Sequence, residues 1–126
     1  MYKISSVIFA FILTALLFTE CSKSSPGTAT GGSGGTRTYS CAGIPSPKFS
    51  TDVQPIVSTV CATNSGCHAA GSTNVGGPFT SYSEVFAKRE KIKEQILLGR
   101  MPQLGIITQT QINAFICWID SGAPNN

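Results

Sequence analysis

The sequence predicts an all-α domain with three main helices, which occupies the C-terminal two-thirds of the chain. Two capping-box patterns, Ser81 with Glu84 and Thr108 with Gln111, mark the starts of two of these helices. Apolar residues recur at helical spacing after each pattern and in one further stretch before them. The alternation of apolar and polar residues that is typical of a strand does not persist for long.

The first helix is predicted to begin at Ser50-Thr51-Asp52 and to run to about Cys61. Asp52 suits the positive end of the helix dipole, and Pro55 can be accommodated only in a first turn. The apolar positions 53, 56, 57 and 60 would fall on one face of this helix.

The second helix is predicted to run from about Tyr82 to Leu98 and to be terminated by Gly99. The third helix follows Thr108 and ends at Ser121-Gly122. We interpret the apolar stripe of the third helix as the surface that packs on the first helix, because helix packing alone accounts for such a stripe. The stripe includes Phe115, Trp118 and Ile119.

Residues 1–20 are predicted to be a signal peptide. Lys3 gives a positive start, and Ile4 to Phe18 is almost wholly apolar. This run is shorter than the roughly 20 apolar residues that a membrane-spanning helix needs. Cys21 follows directly, which resembles the bacterial lipoprotein signal, where the chain is cut before a cysteine that then carries lipid. Glu20 departs from the small residue that is usual there, so an ordinary signal peptide with an unrelated cysteine is the alternative.

Residues 21–40 are predicted to be the lipidated Cys21 and a flexible linker. The segment from Ser22 to Ser40 is rich in Ser, Gly and Thr, and it has too few apolar side chains to offset the entropy of ordering. A coil of this length spans about 25 Å. The folded domain is therefore expected at residues 41–126, held close to a membrane surface.

The most informative motif is the segment from Cys61 to His68, which reads CATNSGCH. A cysteine followed by histidine, with another cysteine upstream, is typical of a covalent c-type haem site, for which the usual spacing is C-x-x-C-H. Five residues separate the cysteines here. Residues six apart on an unbroken helix lie roughly 240° apart around its axis, so both thiols could not face one porphyrin edge. Asn64-Ser65-Gly66 supplies turn residues where the chain would have to bend.

The cysteine count leaves two assignments open. After export, four cysteines besides Cys21 meet an oxidising compartment. Either Cys61 and Cys67 hold haem and Cys41 pairs with Cys117, or the four form two disulfides without haem.

The remaining candidate ligands are His68 and Met101. His68 is the single histidine of the chain, and Met101 is the single methionine once Met1 leaves with the signal peptide. A haem with His and Met axial ligands needs one of each. Zinc is a weaker interpretation, because structural zinc sites use spaced ligand pairs and Cys67 is adjacent to His68.

The order of these features resembles that of the small monohaem class I c-type cytochrome domains, in particular those in exported lipoproteins of Bacteroidetes-type bacteria. The resemblance covers about Phe49 to Asn126. It rests on the segments Asp52-Val53-Gln54-Pro55-Ile56, Gly66-Cys67-His68, Gly99-Arg100-Met101-Pro102 and Trp118-Ile119-Asp120-Ser121-Gly122-Ala123-Pro124. It implies a cytochrome c-like fold, with the three main helices around one covalently bound haem.

The resemblance also implies roles for individual residues. Cys67 and Cys61 would form thioethers to one haem c, His68 would be the proximal axial ligand, and Met101 the distal one. Pro78 takes the place of the loop proline whose carbonyl accepts the Nδ1–H of the axial histidine. With both axial positions of the iron filled, the domain is expected to transfer electrons and not to be an enzyme.

The expected partners are the membrane, through the lipid anchor, and redox proteins. An acidic redox partner could be steered by a basic cluster on the second helix, although interleaved glutamates give that face the pattern of an ordinary solvated surface. Nucleic acid is not expected. The expected location is a bacterial membrane, facing the periplasm or the cell surface. The basic cluster consists of Lys88, Arg89, Lys91 and Lys93.

Two other functions stay open. One is a haem-free, disulfide-stapled extracytoplasmic module that binds a protein or a glycan. The other is a cytochrome sensor or peroxidase in which Met101 binds iron only weakly, although no general acid or base accompanies the motif.

Overall fold

The structure is a computed structural model that describes residues 35–126. Helix α1 comprises residues 49–61, helix α2 spans Tyr82–Leu97, and helix α3 spans Gln109–Asp120. No strand occurs between residues 35 and 126, and the prediction of an all-α domain with three main helices is confirmed. The predicted signal peptide, the lipid-bearing Cys21 and most of the predicted linker lie outside the described residues.

Helix α1 begins earlier than predicted and is irregular. A π-helical stretch at Phe49–Val53 is followed by an α-helical turn at Gln54–Ile56 and a second π-helical stretch at Val57–Cys61. Proline inside a helix removes one i→i−4 hydrogen bond and crowds the carbonyl of residue i−4. Pro55 lies in the first turn of the α-helical segment Gln54–Ile56, but a π-helical stretch precedes that segment, so the helix as a whole begins before the predicted start.

The N-terminus of α1 is capped differently from the prediction. Lys48 is the N-cap residue, so Ser50-Thr51-Asp52 lie inside the helix. Asp52 still stabilises the N-terminus of α1, because its Oδ2 accepts a hydrogen bond from the backbone N–H of Lys48 at 2.7 Å.

Helices α2 and α3 start as predicted. Ser81 and Glu84 form a reciprocal capping box, and so do Thr108 and Gln111. Helix α2 ends at Leu97, and Gly99 follows in the left-handed region with φ +64°. A glycine is favoured there because it has no Cβ to clash with the backbone.

The core lies where α3 packs against α1 and α2. Trp118 and Phe115 are fully buried, with ring centroids 6.0 Å apart, and Trp118 lies 5.5 Å from Phe49 of α1. The indole Nε1–H of Trp118 donates to the carbonyl of Pro124 at 2.8 Å, which satisfies its one polar group. The prediction that the apolar stripe of α3 packs on the first helix is confirmed.

Residues 35–40, which we call the N-terminal strap, lie on the domain. The hydroxyl of Tyr39 donates to Asp120 at 2.8 Å, and the side-chain amide of Gln109 donates to the carbonyl of Thr38 at 2.9 Å. A disulfide joins Cys41, which directly follows the strap, to Cys117 of α3. The sequence predicts a flexible linker up to Ser40, and in the structure residues 35–40 of that segment make polar contacts with the domain.

Among residues 35–126, no helix is both long enough and apolar enough to cross a membrane.

Candidate functional site

A cleft of about 340 Å³ brings together the four residues predicted to bind haem. Cys61 at the end of α1, Cys67 and His68 in the following loop, and Met101 after α2 all line it. Pro78 does not. Much of the remaining wall is apolar and comes from Val60, Phe79, Ile92, Ile96, Pro102 and Ile107.

The loop after α1 folds back on itself and places both cysteines at the cleft. The carbonyl of Asn64 accepts hydrogen bonds from the N–H groups of Cys67 at 3.0 Å and Ala69 at 3.1 Å. The N–H of His68 then donates to the carbonyl of Cys61 at 3.1 Å, which closes the loop. The bend predicted at Asn64-Ser65-Gly66 is present, and it overcomes the angular separation that a continuous helix would impose.

His68 is buried and its ring is held in one orientation. Nδ1 lies 2.8 Å from the carbonyl oxygen of Gly77. Since a carbonyl can only accept, Nδ1 carries the proton and Nε2 keeps its lone pair. The imidazole also stacks on Phe79, with ring centroids 4.1 Å apart. No buried side-chain nitrogen or oxygen in the described part of the chain lacks a partner, so the unpaired Nε2 is accessible from the cleft that His68 lines.

The carbonyl that orients His68 is one residue away from the predicted one. Gly77 supplies it, and the prediction for Pro78 is wrong. Gly76 and Gly77 have φ values of +111° and +75°, a turn that aims the Gly77 carbonyl at the imidazole. A Cβ on Gly76 would lie 3.5 Å from Cε1 of His68. The sequence pattern Gly-Gly-Pro predicts a turn, but it does not say which carbonyl points inward.

Cys61 and Cys67 are half-buried and neither forms a disulfide. Burial, together with the nearby Cys67, raises the pKa of the Cys61 thiol to about 11. Cys61 is therefore a neutral thiol near pH 7 and a poor nucleophile in this state. The disulfide Cys41–Cys117 is compatible with both cysteine assignments, since Cys61 and Cys67 could hold haem or pair with each other.

Met101 begins the loop that follows α2. The carbonyl of Gln95 accepts hydrogen bonds from the N–H groups of Arg100 at 3.0 Å and of Met101 at 3.1 Å. These bonds tie the start of the loop to the last turn of α2. Met101 itself is half-buried, and Pro102 behind it is buried.

Arg37 of the strap contacts the same loop and was not predicted. Its guanidinium Nη1 donates to the carbonyl of Met101 at 2.6 Å and to that of Ile96 at 3.2 Å. Its backbone N–H donates to the carbonyl of Leu97 at 2.6 Å. In the sequence, Arg37 stands inside a Ser/Gly/Thr-rich stretch that has no helical or strand pattern, so nothing there marks it as a contact residue.

The rim of the cleft carries exposed apolar side chains. Val75 is fully exposed and Leu104 is 80 % exposed, and both line the cleft. Lys91 also lines it, but its Nζ lies 2.6 Å from Glu94.

Most of the basic cluster on α2 is similarly paired. Arg89 lies 3.6 Å from Glu90 and Lys93 pairs with Asp120 of α3. This surface is thus closer to a solvated helix face than to an unopposed positive patch.

The donor set of the cleft is one imidazole nitrogen, one thioether sulfur and two thiols. Within residues 35–126, no group of three or more His, Cys, Asp and Glu side chains is arranged to hold a metal ion. The chain matches no protein-family model, no curated protein and no solved structure. Its function is therefore inferred from the chemistry of these residues.

Proposed function

We propose that this protein is an exported, membrane-tethered electron-transfer protein that carries one covalent haem c in the cleft, with His68 and Met101 as axial ligands. One observation carries the proposal: the chain's only histidine, its only methionine outside the first residue, and the two cysteines of residues 35–126 that lie outside the disulfide all line one cleft. Residues 68 and 101 are distant in sequence, so their convergence is a property of the fold.

The state of His68 suits an axial ligand. The hydrogen bond from Nδ1 to Gly77 leaves Nε2 free and fixes the ring plane. Stacking on Phe79 restricts the ring further. These contacts hold the nitrogen at the cleft without any further rearrangement of the side chain.

Met101 offers a soft sulfur ligand. Thioether ligation favours reduced iron and raises the reduction potential relative to a second imidazole. His68 and Met101 would hold the haem, which would supply reversible one-electron transfer. The apolar part of the cleft wall would limit the access of water to it, and solvent access is one factor that sets a reduction potential.

Cys61 and Cys67 would attach the group covalently. Each thiol S–H would add across one vinyl C=C bond, so that a C–S bond forms and the hydrogen goes to the neighbouring carbon. The closed loop between Cys61 and His68 supports this role, since it presents both sulfurs at the same cleft as the imidazole.

The tether and the partner surface are part of the same proposal. Cys21 would carry the lipid, and the rim with Val75 and Leu104 is the apolar surface on which a redox protein would dock. Since most of the basic side chains on α2 are paired with carboxylates, charge steering of an acidic partner has the weaker support.

The ligand assignment is tested with Met101→Ala in protein matured by a c-type maturation system. The variant should still bind haem covalently, should have a lower reduction potential, and should bind carbon monoxide at the freed coordination position. Leu104→Ala is the matched control, because it removes an apolar side chain from the same cleft without removing an iron ligand. Unchanged potential and carbon monoxide binding in Met101→Ala would exclude Met101 as the ligand.

A haem-free, disulfide-stapled binding module is the second candidate. The disulfide Cys41–Cys117 fits it as well as it fits the haem proposal. Mass mapping with disulfides intact distinguishes the two: a Cys61–Cys67 disulfide and no added haem mass would favour the binding module. Carbon monoxide binding by the unmodified protein would instead favour a sensor or peroxidase.

A further inference from the structure

We propose that Arg37 is a positioning residue for Met101, and that the N-terminal strap thereby controls how firmly the methionine is held at the iron. This inference rests on the proposed haem function. Arg37 lies in the strap, next to the predicted tether, and would support a ligand residue of the cleft.

Arg37 binds the end of α2 and the ligand loop at the same time. Its Nη1 joins the Met101 carbonyl at 2.6 Å to the Ile96 carbonyl at 3.2 Å, and its own N–H binds the Leu97 carbonyl at 2.6 Å. The last carbonyls of a helix lack intrahelical partners and carry partial negative charge. A guanidinium is therefore well suited to this position, and its bond to Met101 ties the loop to the helix.

The strap can act on the loop because it is itself fastened. The disulfide Cys41–Cys117 and the hydrogen bond from Tyr39 to Asp120 hold its C-terminal end on α3. Its N-terminal end passes so close to Gly99 that a Cβ there would lie 2.5 Å from the Gly35 carbonyl oxygen. Gly99 thus ends α2 and also leaves room for the strap beside the Met101 loop.

The loss of Arg37 would affect the strap and the Met101 loop differently. The disulfide and the Tyr39 contact would still keep the strap on α3. The Met101 carbonyl would lose its bond, and Met101 itself would be held to α2 by the bond from its N–H to the Gln95 carbonyl. A looser loop would hold the thioether less firmly against competing ligands.

The test compares Arg37→Gln and Arg37→Lys with Arg100→Gln in the full mature chain. Arg100 is the matched control, because it is exposed, adjacent to Met101 and carries the same charge. Arg37→Gln should accelerate amide hydrogen exchange at Met101, whose N–H donates to the Gln95 carbonyl, by on the order of tenfold, since bonds to charged groups are among the stronger ones. Arg37→Lys keeps the positive charge but not the planar guanidinium, so its amide exchange rate at Met101 should fall between those of wild type and Arg37→Gln.

The haem-loaded variants give a second readout. Arg37→Gln should bind carbon monoxide more readily than wild type and have a lower reduction potential, whereas Arg100→Gln should match wild type in both. Exchange equal to wild type in both Arg37 variants would overturn the proposal. So would faster exchange with an unchanged potential and unchanged carbon monoxide binding, since Arg37 would then hold the loop without positioning the ligand.

The two proposals fail in different ways. If the chain takes up no haem, the proposed function fails, while hydrogen exchange still decides whether Arg37 holds the Met101 loop. If Met101→Ala shows the loss of an iron ligand and Arg37→Gln shows no change, only the role of Arg37 is overturned. If Arg37→Gln does not fold, Arg37→Lys carries the same comparison.

Discussion

His68 owes its orientation to two neighbours that have no side-chain chemistry of their own. The Gly77 carbonyl fixes the ring through Nδ1, and Gly76 lies beside the ring, where a Cβ would come into van der Waals contact with Cε1 at 3.5 Å. The orientation of the His68 ring thus depends on the backbone conformation of the neighbouring glycines, and not only on the residue type at position 68.

Gly76→Ala tests this dependence. Its φ of +111° is strained for any residue with a Cβ, and the added methyl would touch the imidazole. We expect a loss of about 1–3 kcal/mol in the free energy of unfolding, together with a shift of the His68 imidazole signals in NMR spectra.

Gly105→Ala is the control for backbone strain alone. Gly105 has φ +92° and open space around a Cβ, so it should lose comparable stability without moving the His68 signals. Equal imidazole spectra in the two variants would contradict the assignment of Gly76 as a residue that lies against the ring.

At the scale of secondary structure, α2 and α3 are joined by a polar contact at the surface. Lys93 pairs with Asp120, and Tyr39 of the strap donates to the same carboxylate. The hydrogen bond with Asp120 raises the pKa of Lys93. Burial alone would raise the pKa of Asp120, but the hydrogen bonds from Lys93 and Tyr39 outweigh it, and the pKa is lowered.

The contribution of this contact should therefore depend on pH in a defined direction. The lowered pKa of Asp120 stabilises the fold above the unfolded value of about 3.9, and this stabilisation is lost as the pH falls through the folded pKa. The raised pKa of Lys93 stabilises the fold below about 10.4, and that part is lost as the pH rises through its folded value.

Asp120→Asn should consequently lower the free energy of unfolding at pH 7 by no more than about 1 kcal/mol, because the pair is partly exposed. The difference from wild type should shrink as the pH falls through the lowered folded pKa of Asp120, because the carboxylate of the native protein then becomes protonated. Urea unfolding at pH 7 and at a series of acidic pH values measures this difference. Glu90→Gln is a control with a longer and more exposed contact, and a pH-independent deficit in Asp120→Asn would contradict the assignment.

The helices were predictable where one local interaction defines their ends. Ser81 with Glu84 and Thr108 with Gln111 are short-range patterns, and both capping boxes form. The start of α1 was missed because its N-cap, Lys48, has no side-chain cap and the turns around Pro55 are π-helical. Propensity rules that assume a regular helix contain no signal for such turns.

At the scale of the whole molecule, a small domain is held together by a core and one long-range covalent link. The disulfide joins residues separated by 76 positions, for which restriction of the unfolded chain contributes about 4 kcal/mol. It fastens the C-terminal end of the strap directly onto α3, whose aromatic residues form the centre of the core.

The candidate site was predictable in its residues but not in its supports. Cys61, Cys67, His68 and Met101 are conspicuous because each belongs to a rare type or a motif, and the fold brings all four to one cleft. Gly77 and Arg37 act through a backbone carbonyl and through contacts across 59 and 64 positions. Such contacts depend on the packed fold, so residue types and spacing could not reveal them.

Covalent haem attachment is tested by the intact mass of the mature protein, measured before and after thiol alkylation. We expect the mass of the mature chain plus one covalent haem and the lipid on Cys21, no alkylation of Cys61 or Cys67, and a Cys61→Ser variant that keeps one thioether through Cys67. A mass without haem, with Cys61 and Cys67 either alkylated or joined to each other, would contradict it.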